Sequence, residues 1–231
     1  VMLIAETQTA GRGRLGRNWT SRAQDSLTFS LGLMLNPPDW SGLSLAVGVA
    51  LAESLTQLLH AQPPHVAHPD PDRVVLGLKW PNDLWCDPGN GPHKLGGILI
   101  ETATLPDPGA ALAGRYAVIG VGLNLRTPEG VDSSIPPLGL QDLATGLQAP
   151  HLLRELLPGL MRVVLDFNQQ GFAPLLPRFA RRDWLRDQAI RLSDGREGWA
   201  RGVDAQGQLL VDTDTGRALI HSNEISIRPR R

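Results

Sequence analysis

A single cysteine, Cys86, among 231 residues excludes an internal disulfide, and with it the disulfide-stapled secreted class. An excess of one charge is also missing: 22 Lys and Arg stand against 23 Asp and Glu, a formal net charge of −1. Nothing global therefore draws the chain to nucleic acid or to an anionic membrane, and anion binding has to come from local clusters of Arg and Lys. Aromatics are sparse, with one Tyr and four Phe, which is thin material for base-stacking platforms. No apolar run approaches the length of a membrane span, and no cationic leader followed by an apolar core opens the chain. The expectation is a cytoplasmic protein with no membrane partner. No Gly-Lys-Ser or Gly-Lys-Thr occurs, so a P-loop is excluded. What is present is 42% hydrophobic residues, enough for a sizeable core.

Residues 1–5 are an apolar run of strand type, a strand already in progress, and a further segment is expected upstream. In residues 26–35, Leu27, Phe29, Leu31, Leu33 and Leu35 alternate, which predicts a strand with one buried face. Leu43, Val47, Ala50, Leu51, Leu55 and Leu58 recur at spacings of three and four and predict a helix, with Ser41 or Asp39 as its cap. Residues 60–72, rich in proline and histidine, read as a loop. Residues 74–80, 94–104 and 116–125 read as strands, with a hairpin tip at 87–93. Leu152 to Phe167 has helical spacing, and Pro158 inside it predicts a kink or a new helix start. From residue 188 onward short strand candidates alternate with Asp-Gly-type turns, the pattern of a small β-barrel. The expected division is 1–187 and 188–231.

The most informative segment is Gly11-Arg12-Gly13-Arg14-Leu15-Gly16-Arg17-Asn18-Trp19. Its glycines match G-x-G-x-x-G, but no apolar helical period follows, so a dinucleotide fold is excluded. Glycine permits close backbone approach, and arginine supplies forked donors for carboxylate and phosphate oxygens. The combination suits a lid over a polyanion. A solvated loop or an RNA-binding stretch accounts for it equally well when it is taken alone.

Three further segments bear on the choice. In Lys79-Trp80-Pro81-Asn82-Asp83 the proline ends a strand and leaves an amide and a carboxylate at its exit, suited to Mg²⁺ and phosphate or to an ordinary Asx turn. Lys94-Leu95-Gly96-Gly97-Ile98-Leu99 puts a lysine at the head of a strand whose glycines mark a close approach or a bulge. In Gly120-Val121-Gly122-Leu123-Asn124 one strand face is nearly bare and ends in an amide, as in a pocket floor or a close helix contact.

In this order the four segments resemble the biotin–protein ligase family, over nearly the whole chain. The resemblance implies an α+β fold: a mixed β-sheet packed with helices, of class II aminoacyl-tRNA-synthetase-like type, plus a small C-terminal SH3-like β-barrel. It implies ATP, biotin and Mg²⁺ as cofactors, biotinyl-5′-AMP as intermediate, and the lysine of a biotin carboxyl carrier protein as acceptor. Gln8, Arg12, Gly13, Arg14, Lys94 and Gly97 would line the biotin site. Arg14, Arg17, Trp19, Asn82, Asp83 and Asn124 would hold the nucleotide. Lys94, Arg14 and Asp83 would act in catalysis, Asp83 also as a candidate Mg²⁺ contact. Members usually carry a Ser-Thr-Asn-type segment and a helix before the strand matched by residues 1–5, so 1–187 is expected to be an N-terminally truncated catalytic domain. Repressor-type members carry a DNA-binding domain that has no counterpart in this sequence, so no DNA partner is expected; a homodimer is left open. The alternatives are a lipoyl or octanoyl transferase of the same fold and a non-catalytic RNA-binding module. Cys86 and His221 have no nucleophilic partner arrangement and are read as structural.

Overall fold

The computed structural model describes residues 1–19, 21–61, 74–104, 114–131, 134–222 and 227–229, the last three as backbone only. Most of the loop expected at 60–72 lies outside the described residues.

Alternation in the sequence becomes a two-faced sheet. Strands β1 (Met2–Ala5), β2 (Ser26–Leu35), β3 (Val75–Lys79), β4 (Asp83–Asp87), β5 (His93–Ala103) and β6 (Arg115–Asn124) pair in the order β1-β2-β6-β5-β4-β3. Every pairing between these strands is antiparallel, and parallel pairing enters through isolated bridges such as Leu78 with Asp183 and Lys94 with Pro137. Leu27, Phe29, Leu31 and Leu35 of β2 are buried together with Ile119, Val121 and Leu123 of β6, as the period of two predicts.

Two long helices pack with that apolar face. Helix α1 (Leu43–His60) is apolar enough by length and composition to cross a membrane, but twelve of its residues, from Leu43 to Leu59, are buried in the core. The expected side-chain cap at its start is not made. Gly42, in the left-handed region at φ 82°, is the N-cap, and Asp39 accepts the Ser41 N–H at 2.8 Å in a turn ahead of the helix. A short helix α2 (Leu140–Leu143) precedes α3 (Ala149–Gln170), which runs as one helix through Pro158, so of the two expected outcomes, a kink or a new start, there is no new start. Leu152, Leu156, Leu160, Val164 and Phe167 of α3 are buried. Each such side chain contributes about 1.5–3 kcal/mol, which offsets the backbone hydrogen bond the proline removes.

After α4 (Leu176–Ala180) come β7 (Ala189–Leu192), β8 (Glu197–Val203), β9 (Leu209–Thr213), β10 (Gly216–Ile220) and β11 (Ile227–Pro229). They form a second antiparallel sheet in the order β10-β9-β8-β7-β11. β4 is implied only by the hairpin tip expected at 87–93 and given no range of its own, and β11, of three residues, has no counterpart in the sequence reading. The link between the sheets covers the β3 edge, since Leu78 donates to Arg182 O at 2.7 Å and Trp184 donates to Leu78 O at 2.9 Å.

Candidate active site

The polar face of the first sheet holds the site because one row of cross-strand partners runs through all six strands. Lys79 on β3 faces Asp83 on β4, Asp83 faces Gly97 on β5, Gly97 faces Gly122 on β6, Gly122 faces Thr28 on β2, and Thr28 faces Ala5 on β1. Directly opposed residues point to the same face. The row therefore has charged groups at one end and small residues along the middle. The adjoining row adds Ser30, Gly120 and Leu99 on the same side. The result is a cavity of about 340 Å³, the lower end of the size that suits a small ligand.

The glycine-arginine segment forms its wall. Gln8 pairs with Ser21 and Arg12 with Asn18 in antiparallel bridges, and Arg14–Gly16 makes one 3-10 turn with Leu15 at φ 56°. Gly11 is required there, because a Cβ would come 2.3 Å from Trp19 O. Gln8, Arg12, Gly13, Arg14, Arg17 and Trp19 all line the cavity. Arg14 is half-buried and donates to Asn82 Oδ1 at 3.4 Å, which ties the loop to the β3–β4 turn. Burial pushes its guanidinium pKa down, against the pull of Asp83. The Trp19 indole stands over Gly122, where a Cβ would meet Cζ2 at 2.5 Å, and its Nε1 is buried with no hydrogen-bond partner.

Asp83 is the electrostatic centre. Lys94 donates to its Oδ1 at 2.7 Å, and Lys79 Nζ lies 3.8 Å from its Oδ2. Asn82 and Gly97 also line the cavity, with the Asn82 amide donating to Ile98 O at 2.9 Å. Cys86 is fully buried and its thiol is pushed up to about 12 by desolvation, which suits no nucleophile. Asn124 is the expected site residue that the fold sets apart. It lines a second depression of about 250 Å³ with Ser21, Arg22, Asp25 and Arg126, and its amide is committed to Lys94 O and Leu138 O. Lys79, Thr28, Ser30 and Glu101 line the cavity without having been singled out. For Lys79 the signal needed was β4, since only the β3–β4 hairpin sets it opposite Asp83.

A carboxylate between two lysines, an arginine wall and a glycine floor can receive an anionic ligand and stabilise charge that develops on it. The profile of the biotin/lipoate A/B protein ligase family matches residues 2–124, and that of the biotin protein ligase C-terminal domain matches 188–228. The chain belongs to the biotin–protein ligase family. It is 36% identical over 233 residues to the biotin--[acetyl-CoA-carboxylase] ligase of Mycobacterium tuberculosis, covering 96% of this chain and 76% of that protein. It is 34% identical over 233 residues to the bifunctional ligase/repressor BirA of Escherichia coli, covering 97% of this chain and 65% of that one. The biotin protein ligase of Aquifex aeolicus, solved with biotin and ATP, shares the family's fold with a TM-score of 0.74 and 24% identity, over 99% of this chain and 89% of that one.

Proposed function

We propose that the chain joins biotin to ATP as biotinyl-5′-AMP, releases pyrophosphate, and transfers biotin to a lysine of a biotin carboxyl carrier protein domain. The observation that carries this reading is the glycine-floored cavity whose charged end brings Lys94 and Arg14 beside Asp83 and Asn82. The name of the Mycobacterium tuberculosis relative, a biotin--[acetyl-CoA-carboxylase] ligase, favours biotin over lipoate or octanoate. The RNA-binding alternative draws no support from a cavity whose one loop aromatic is packed on Gly122.

In the first step the biotin carboxylate attacks the α-phosphorus, and the bond to pyrophosphate breaks. Two anions must meet, and negative charge grows on the phosphate oxygens. Lys94 and Arg14 stabilise that charge more than they stabilise the separated reactants. In the second step the acceptor amine attacks the acyl carbon and AMP leaves. The mixed anhydride is water-sensitive, so the wall of residues 7–25 acts to keep solvent away. Arg12, Gly13, Gln8 and Gly97 are assigned to the biotin end, and Arg17, Trp19 and Asn82 to the nucleotide. Asn124 is assigned to its outer margin.

Asp83 does not fit a direct Mg²⁺ ligand, because its two oxygens face two ammonium groups. Among the described residues no cluster of three His, Cys, Asp or Glu could hold a metal. The role left for Asp83 is to position Lys94. We place the unit boundary at 187/188, which agrees with the start of β7.

The test is biotin-dependent exchange of labelled pyrophosphate into ATP, run beside lipoate and octanoate. Exchange with biotin alone is expected. Exchange with lipoate or octanoate and none with biotin would overturn the reading.

A further inference from the structure

Asp83 serves two lysines that differ in what else they can reach. Both line the cavity, but the Lys94 side chain is 33% exposed while the Lys79 side chain is only 10% exposed. A lysine locked to a carboxylate at 2.7 Å is not available to a substrate anion. Pulling it away leaves the carboxylate, itself 14% exposed, short of a partner, and an uncompensated buried charge is costly. A second cation held in reserve removes that cost.

Lys79 has the placement for it. It is the cross-strand partner of Asp83, one tight turn away, so its position is set by the hairpin rather than by a loop. Its Nζ lies 3.8 Å from Oδ2, the oxygen Lys94 does not use, and 6.0 Å from the centre of the Trp85 ring. That distance is an ion pair not yet closed to a hydrogen bond. Burial lowers the Lys79 pKa, and the charges of Lys94, Arg17 and Arg14 push in the same direction while Asp83 opposes them. Retracting Lys94 from Asp83 strengthens the one attraction that holds Lys79 charged.

We propose that Lys79 is a positioning residue of the adenylation step: it takes over Asp83 as Lys94 moves from the carboxylate to the anion at the reacting phosphate. The inference rests on the adenylation reading above. Lys79 itself stays in the cavity wall, on the Oδ2 side of Asp83, and does not touch the reacting atoms.

The experiment uses the full chain and four variants: Lys79→Met, Lys79→Arg, Asp83→Asn and the double variant Lys79→Met/Asp83→Asn. Each is measured by pyrophosphate exchange, as kcat and KM for biotin, and by thermal unfolding. Lys79→Met pins Lys94 on Asp83, so kcat should fall roughly 10- to 100-fold while KM changes less than about threefold. Lys79→Arg keeps the charge and should stay within about fivefold of the parent. The double variant removes the carboxylate that pins Lys94 and should regain about tenfold over Lys79→Met. A structural role alone would make the two losses add. The proposal is overturned if folded Lys79→Met exchanges within about twofold of the parent, or if the double variant is no better than Lys79→Met. Should Lys79→Met fail to fold, the charge-balanced double variant decides: a role exercised through Asp83 leaves its exchange within about twofold of Asp83→Asn alone, and exchange well below that overturns the proposal. An inactive parent chain would sink the adenylation reading instead.

Discussion

Gly122 shows how much a missing side chain decides. A methyl group there would come 2.5 Å from the Trp19 ring, so Gly122→Ala must displace the indole that closes the cavity. Affinity for a non-hydrolysable ATP analogue measured by calorimetry should fall by roughly tenfold, with unfolding little changed, because the cavity rather than the core is disturbed. An unchanged affinity would detach Trp19 from the site. Lys94→Ala is the sharper case. Exchange should drop by roughly 100-fold or more, the scale of one lost donor to developing charge, in a protein that stays folded. Near-normal exchange would remove Lys94 from the mechanism. Both residues were legible in the sequence: glycines alternating with apolar residues on one strand, and a lysine heading a glycine-bearing strand. Lys79 was legible only as a motif letter, since its partner lies across a hairpin.

At the scale of elements, the glycine-arginine segment, read in the sequence as suited to a lid over a polyanion, forms a wall of the cavity. Bridges from Gln8 to Ser21 and from Arg12 to Asn18 fold it back on itself, and Arg14 holds it to Asn82. Arg14→Gly removes that tie but leaves Lys94 in place. Adenylate should still form and then escape, so biotin should appear on lysines of a bystander protein, and protease should cut the wall faster even with biotin bound. If neither bystander labelling nor cutting rises, Arg14 does not retain the intermediate. Strand β4 was legible only through the hairpin tip that follows it, because five residues carry too little alternation to announce a strand of their own.

Across the whole molecule, the two sheets are held by one continuous core, in which Ile190, Leu192 and Val211 of the second sheet join α1 and the first sheet. Trp80, fully buried, donates to Gly207 O at 3.0 Å and pins the β8–β9 turn. Trp80→Phe leaves the carbonyl of the buried Gly207 without that donor, and urea unfolding should show a loss of about 1–3 kcal/mol; an equal midpoint would discount the anchor. Between the sheets, Asp183 has Oδ2 buried without a partner while Oδ1 accepts the Leu185 N–H at 3.0 Å. Burial raises its carboxyl to about 6, from an ordinary value of 3.8. The folded state therefore favours the neutral acid. That contribution is complete below the ordinary value and is lost as pH rises through about 6. Asp183→Asn should raise the melting temperature near neutral pH, with the gain fading toward pH 4. A gain independent of pH would assign the effect to something other than this charge.

The sequence by itself determined the local periods: which face of β2 and β6 is buried, where α1 and α3 run, that a bare glycine face exists, and that arginines alternate with glycines near residue 12. Those are properties of neighbours, and a period of two or of 3.6 residues records them. The tertiary structure decided which distant residues share a row. Ala5, Thr28, Lys79, Asp83, Gly97 and Gly122 come into line only through the strand register, which a slip of one residue would reverse. The same register sends the Asn124 amide to two backbone carbonyls and gives Asp83 two lysines where the sequence suggested a metal. Register is set by pairing and packing between segments far apart in the chain, so no local pattern carries it.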